Sequence, residues 1–326
     1  MNEQSPSTAG PAPVRPARST AGPAPVRPAR STAGPAPVRP ARSTAGPAPV
    51  RPARSAAGAA PAPPPAGPDA GRTALGLCSV TYRRLPAIEV ARCAAHAGLE
   101  VIEWGADVHA PAEEPGTVRA VREASDRYGL ACCSYGSYFR ATPDELAGFP
   151  AVARAAMLLG AERVRVWAGA TGSQYALPEQ RHATVRCLRE AALIAADHGL
   201  GLATEFHGGT LTDTVASTVR LLDEVDADNV RTYWQPPLDA PDEEALSGLA
   251  ELGDRIAAVH AFSWWPGNTR LPMEDREDLW TAALGMLDGR GIEALLEFVP
   301  GDDPAVLTRE AATLRRAAGQ TVSGRT

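Results

Sequence analysis

Four side chains able to ligate a metal fall one to each of four consecutive strand-like runs in the C-terminal half of the chain. They are Glu205 in GLGLATEFHGG, Gln235 in NVRTYWQPP, His260 in RIAAVHAFSW and Glu297 in GIEALLEFVP. Each run is short, apolar and β-branched, and each polar residue lies at or near its C-terminal end. In a parallel barrel those ends converge on one mouth. There a carboxylate, a carboxamide, an imidazole and a second carboxylate could share one cation.

The elements needed to position these donors are written along the chain from Thr73 onward, where apolar runs alternate with helix-period segments. The strand-like runs are ALGLCS (74–79), VIEW (101–104), ACCSYG (131–136), VRVW (164–167), LATEF (202–206), VRTYW (230–234), IAAVHAF (256–262) and ALLEFV (294–299). Amphipathic helices such as AIEVARCAAHAG, ATVRCLREAALIAADHG and TVASTVRLLDEV fit between them. Several stop at a glycine, as at Gly98, Gly129 and Gly199. Eight strands each followed by a helix predict a parallel sheet with right-handed crossovers. A doubly wound open sheet fits the alternation too, but the first strand-to-helix turn, CSVTYRRLP, lacks the G-x-G-x-x-G phosphate fingerprint. No G-x-S-x-G nucleophile elbow occurs either. Count and length favour a (β/α)8 TIM barrel.

Residues 7–54 are four identical copies of STAGPAPVRPAR, followed by a decayed stretch as far as Gly71. Each unit has three prolines and one bulky apolar residue, too little burial to offset ordering entropy, so a disordered Pro/Ala/Arg-rich tail is expected over 1–71. A weakly basic tether and a tolerated duplication both fit it. The 255 residues that remain (72–326) match the roughly 250 of a single barrel. The tail has eight arginines against Glu3 and Asp69, so the chain's net −6 leaves −12 on the barrel. An acidic body argues against a nucleic-acid backbone as partner. Five cysteines, with no C-x-x-C pair, read as buried free thiols in a reducing compartment. No signal peptide or membrane-length apolar run is present, so a cytoplasmic protein without membrane contact is expected.

With these residues in place, the chain resembles the xylose-isomerase-like barrels, which include sugar phosphate isomerases/epimerases and ketose 3-epimerases. The resemblance runs from Ala74 to Arg316. It starts at LGLCSVTYRRLPAIEVARCAAHAGLEVIEWG, strengthens at LGAERVRVWAG and ATEFHGGTLTDT, and closes with LLEFV. It implies metal ligands at Glu205, Gln235, His260 and Glu297, with Glu205 and Glu297 as the acid/base pair. Removing a proton α to a carbonyl needs a carboxylate on one side of the carbon and an acid on the other. Oxygen-rich ligation with one imidazole suits Mn2+ or Mg2+, and admits Co2+. The sequence departs from the family's epimerase branch at Gln235, where that branch has aspartate, and at Leu238, where it has histidine.

Further substrate contacts are expected from His207, His109, Glu103, Arg165, Tyr135 and Trp167. Glu103 and Arg165 interrupt apolar runs, and a structural pairing between them is the default, because buried charges pair. Tyr138, Trp234, Trp264 and Trp265 could add sugar-stacking walls or simply pack. Arg140 and Arg270 read as solvated, and His96, His182 and His198 as residues of outer helices. The resulting expectation is a metal-dependent isomerase or epimerase on a small sugar-like carbonyl compound, with self-association compatible with the fold. An inosose-type dehydratase or lyase, or a catalytically lapsed binding module, stands as the alternative. A DNA-repair barrel of the apurinic-endonuclease type would need more histidine and acidic ligands and a basic groove.

Overall fold

The computed structural model describes residues 71–321, and the expected tail disorder falls outside them. Strand β1 spans Ala74–Cys78, β2 Val101–Gly105, β3 Ala131–Gly136, β4 Arg163–Val166, β5 Gly201–Thr204, β6 Val230–Trp234 and β7 Ile256–Ala261. A short antiparallel excursion, β8 (Ser263–Trp264) with β9 (Arg270–Leu271), precedes the last barrel strand, β10 (Glu293–Leu296). The barrel closes in the order β1-β10-β7-β6-β5-β4-β3-β2, with parallel pairing throughout. Helices α1 (Ala87–His96), α2 (Pro115–Tyr128), α3 (Pro143–Leu146), α4 (Phe149–Leu159) and α5 (Pro178–Asp197) fill the first crossovers. Helices α6 (Val215–Val225), α7 (Asp242–Leu252), α8 (Glu277–Leu287) and α9 (Leu307–Ala317) complete the outer ring.

Period-two alternation divides each strand between two cores. Residues facing the helices, such as Leu75, Ile102, Val164, Leu202, Trp234 and Leu296, join the large outer cluster. Those facing inward form a smaller cluster of Ala74, Cys78, Val101, Cys133, Ala203, Tyr233, Ala258 and Leu295. Small residues dominate that inner set, which lets the strands close tightly. At Gly76 a Cβ would lie 2.6 Å from both the Leu295 side chain and the Val101 carbonyl oxygen, so only glycine fits where β1, β2 and β10 meet. At the foot of the barrel Arg163 pairs with Glu293 across the interior.

Helix stops follow the sequence. Gly129 and Gly160 end α2 and α4 at φ 67° and 68°, the left-handed conformation that a residue without Cβ adopts most easily. Two strands end two or more residues before the sequence reading places their ends. The β5 and β10 ladders stop at Thr204 and Leu296, whereas the apolar runs continue to Phe206 and Val299. Among the described residues no helix is long and apolar enough to cross a membrane. All five cysteines are free thiols.

Candidate metal and acid/base site

The strand ends set the donors. Glu205 directly follows β5, Gln235 follows β6, His260 is the penultimate residue of β7, and Glu297 follows β10. Both glutamates stay tied to the sheet by their backbone. The Glu205 N–H donates to the Val166 carbonyl at 2.8 Å, and the Glu297 N–H to the Ala261 carbonyl at 3.0 Å. The next residue, Phe298, then turns away at φ +54°, a strained conformation for a bulky side chain, with its N–H bonded to Thr81 Oγ1 at 3.0 Å.

The predicted side chains meet at His260. Its Nδ1 lies 3.5 Å from Glu297 Oε2, 3.7 Å from Glu205 Oε1 and 3.3 Å from Gln235 Oε1. Two donors each about 2.1 Å from one ion, at tetrahedral or octahedral angles, are about 3.0–3.4 Å apart. Each spacing measured from His260 is close to that, but among the described residues the carboxylate, thiol and imidazole donors that lie mutually within 4.8 Å are Cys78, His260 and Glu297, without Glu205. Sequence reasoning missed one member of the cluster. Cys78, His260 and Glu297, all buried, each offer a ligand atom within 4.8 Å of the other two.

Arg165 organises the carboxylates beneath the mouth. Its Nε donates to Glu103 Oε1 at 2.8 Å, while Nη1 donates to Glu205 Oε2, which also accepts from Trp167 Nε1. Glu205 therefore has one oxygen committed and turns Oε1 toward His260. Tyr233 donates to Glu103 Oε2 at 2.9 Å. The expected Glu103–Arg165 pairing is present, and the charges are almost fully buried.

These contacts set the protonation tendencies. Burial raises the proton affinity of Glu103, but Arg165 and His260 outweigh it and hold its carboxyl well below the ordinary range. Burial lowers the His260 pKa, yet Glu297, Glu103 and Glu205 together leave the imidazole above its ordinary value. Glu297 is pushed up by burial, with Glu205 and Glu103 adding to it and His260 and Arg165 opposing it. Burial, then Glu103 and Glu297, push the Cys78 thiol well up.

The other expected contacts separate into two groups. Trp167 stays at the rim, stacked on His207 with centroids 4.7 Å apart and covered by the Arg140 guanidinium at 4.2 Å. His109 and Tyr135, by contrast, make their polar contacts with neighbouring residues of the fold. His109 is buried, with Nδ1 3.1 Å from Ser79 Oγ and Nε2 3.1 Å from the Leu85 carbonyl oxygen. Tyr135 lies in the outer core and donates its hydroxyl to the Ala110 carbonyl at 2.6 Å. His109 is held by the β1–α1 segment and Tyr135 by the β2–α2 segment, and alternation along β3 points Tyr135 outward while Ser134 pairs with Glu103. Trp234 also faces outward, against Trp280. A cleft of about 440 Å3 lies outside the barrel between the start of α1 and α2, away from the carboxylates.

Residues 91–275 match the family model for the xylose isomerase-like TIM barrel. The chain belongs to that family. No curated protein sequence matches it, but solved structures share its fold. The probable 3-DHS dehydratase AsbF of Bacillus anthracis aligns at TM-score 0.61 and 20% identity, over 74% of this chain and 98% of its own. The D-allulose 3-epimerase of Methylomonas sp. aligns at TM-score 0.58 and 19% identity, over 76% and 98%. A xylose isomerase-like barrel protein from Mycobacterium smegmatis, solved in complex with magnesium, aligns at TM-score 0.56 and 16% identity, over 76% and 96%. At these identities the likeness is one of fold.

Proposed function

We propose that this chain is a metal-dependent isomerase or epimerase that moves a proton on a small polyhydroxylated carbonyl compound. The observation that carries the reading is the convergence of Glu205 Oε1 and Glu297 Oε2 on Nδ1 of one buried imidazole, at 3.7 and 3.5 Å. Their strands, β5 and β10, are separated by β6 and β7, so the two carboxyl groups reach a bound substrate from different directions. Glu205, with Oε2 occupied by Arg165 and Trp167, presents one lone oxygen as the base. Glu297, on the far side of β6 and β7 from Glu205, is the partner that would return the proton. His260, Glu297 and Glu205, with the Gln235 amide oxygen, would hold the cation. A divalent ion there supplies positive charge against the negative charge that develops on the substrate oxygens. Trp167 and His207 form an aromatic edge against which a sugar ring can lie.

The dehydratase named among the structural neighbours supports a second reading, in which the same carboxylates abstract a proton and expel a neighbouring hydroxyl as water. Solvent deuterium exchange into a panel of ketoses and inososes, with product analysis, separates the two. The expected result is deuterium at one carbon of a ketose with no loss of water. Glu205→Gln and Glu297→Gln should each lower exchange by at least about 100-fold, the ordinary worth of general acid–base catalysis, with the fold intact by circular dichroism. Exchange that survives both substitutions would sink the acid/base assignment.

A further inference from the structure

The donors around His260 are not equally free. Glu205 shares its charge with Arg165 and Trp167, whereas Glu297 has only the imidazole as an ion-pair partner among the described residues. Cys78, the last residue of β1, sits with its sulfur, an imidazole nitrogen and a Glu297 oxygen all within 4.8 Å of one another. The register explains why: β1 lies between β10 and β2, with Leu77 opposite Leu296 and Cys78 opposite Glu103. Cys78 and His260 are both 0% exposed. The second imidazole nitrogen, Nε2, is buried with no hydrogen-bond partner, and the nearest carboxylate oxygen, Glu103 Oε1, is 3.7 Å away. A ring held this way, with Nδ1 turned to the donors and Nε2 toward an acid behind it, has the orientation of a metal-ligating histidine.

We propose that Cys78 donates a thiolate sulfur to the ion held by His260 and Glu297, making a sulfur–nitrogen–oxygen centre that selects zinc or cobalt over magnesium. This rests on the metal-site reading above and adds a ligand to it. Sulfur is a soft donor that binds zinc and cobalt strongly and magnesium hardly at all. In binding, the S–H bond breaks, a sulfur–metal bond forms, and the proton leaves to solvent. The neutral Gln235 amide and the arginine-engaged Glu205 then act as weaker ligands completing the shell.

Titration of the full-length protein with cobalt alone, followed by absorption, tests this. The wild type should show a near-ultraviolet thiolate-to-cobalt charge-transfer band together with visible ligand-field bands. Cys78→Ser and Cys78→Ala should each lose the charge-transfer band while keeping the visible ones, and Cys133→Ala, a neighbouring buried thiol, should keep both. Zinc affinity, read by competition with a chelating dye, should fall by more than about 100-fold in both Cys78 variants, exceeding the cost of losing an outer partner, with magnesium affinity unchanged. Circular dichroism of the two variants separates ligand loss from misfolding, and the wild-type band decides the matter if both misfold. Cobalt bound without that band, or zinc affinity indifferent to Cys78→Ala, overturns Cys78 as a ligand and leaves the metal site standing. A wild type that takes up only magnesium or manganese overturns the thiolate ligand alone, and one that takes up none of zinc, cobalt, manganese and magnesium overturns both.

Discussion

At the scale of single residues, Arg165 controls the interior electrostatics, because it neutralises Glu103 and Glu205 at once. Arg165→Met would leave both carboxylates buried without a guanidinium, so a loss of about 3–5 kcal/mol is expected, readable as a lowered denaturation midpoint. Replacing Gln235 by Glu, which keeps the side-chain length, puts a charged oxygen where the amide oxygen lies 3.3 Å from the imidazole, and magnesium should bind on the order of tenfold more tightly. The raised proton affinities of His260 and Glu297 mean that an incoming cation displaces protons, so apparent zinc affinity should climb as pH rises. Titration in weak buffer should show the released acid. The four polar side chains that meet at His260 were legible because each lies at or near the C-terminal end of an apolar run. Cys78 was not, since a thiol inside ALGLCS looks like core until β10 places Glu297 beside it. The Arg165–Glu103 pairing followed from burial alone, whereas the second partner, Glu205, depends on barrel tilt, which no local pattern encodes.

At the scale of elements, helices and strand order could be read from periodicity, but the ends of β5 and β10 could not. Apolar side chains continue in LATEF and LLEFV after the hydrogen-bonded ladder has stopped, and the turn at Phe298 has no compositional marker. The β8–β9 excursion was likewise invisible, each strand being two residues long. Close contact between elements shows most sharply at Gly76. Gly76→Ala forces a methyl group against the Val101 carbonyl, and overpacking of this kind should destabilise the barrel by about 1–3 kcal/mol, measured by urea denaturation.

At the scale of the whole molecule, the eightfold alternation and the length after Gly71 already specified a closed parallel barrel, while the repeats lie beyond the described residues. The repeat composition over residues 7–54 is too poor in bulky apolar residues to build a core, and removal of residues 1–60 should leave the thermal midpoint of the barrel within about 2 °C, since truncation matters only where buried backbone is lost. Acid stability carries a signed expectation. The Glu103 carboxyl is held below its unfolded value of 4.5, so its stabilisation is complete above that pH and drains away as the solution is acidified through the lower folded value. Glu103→Gln should flatten the acid limb of the stability curve.

The pairing of Arg163 with Glu293 has a consequence for assembly. These partners are 130 positions apart along the chain, so a nascent half-barrel emerging from synthesis carries a lone guanidinium in its unfinished lumen. Until the final strand arrives, water must remain inside. Closure and drying of the cylinder are therefore one event, and a chain cut short before that strand should stay hydrated, loose and prone to capture by chaperones.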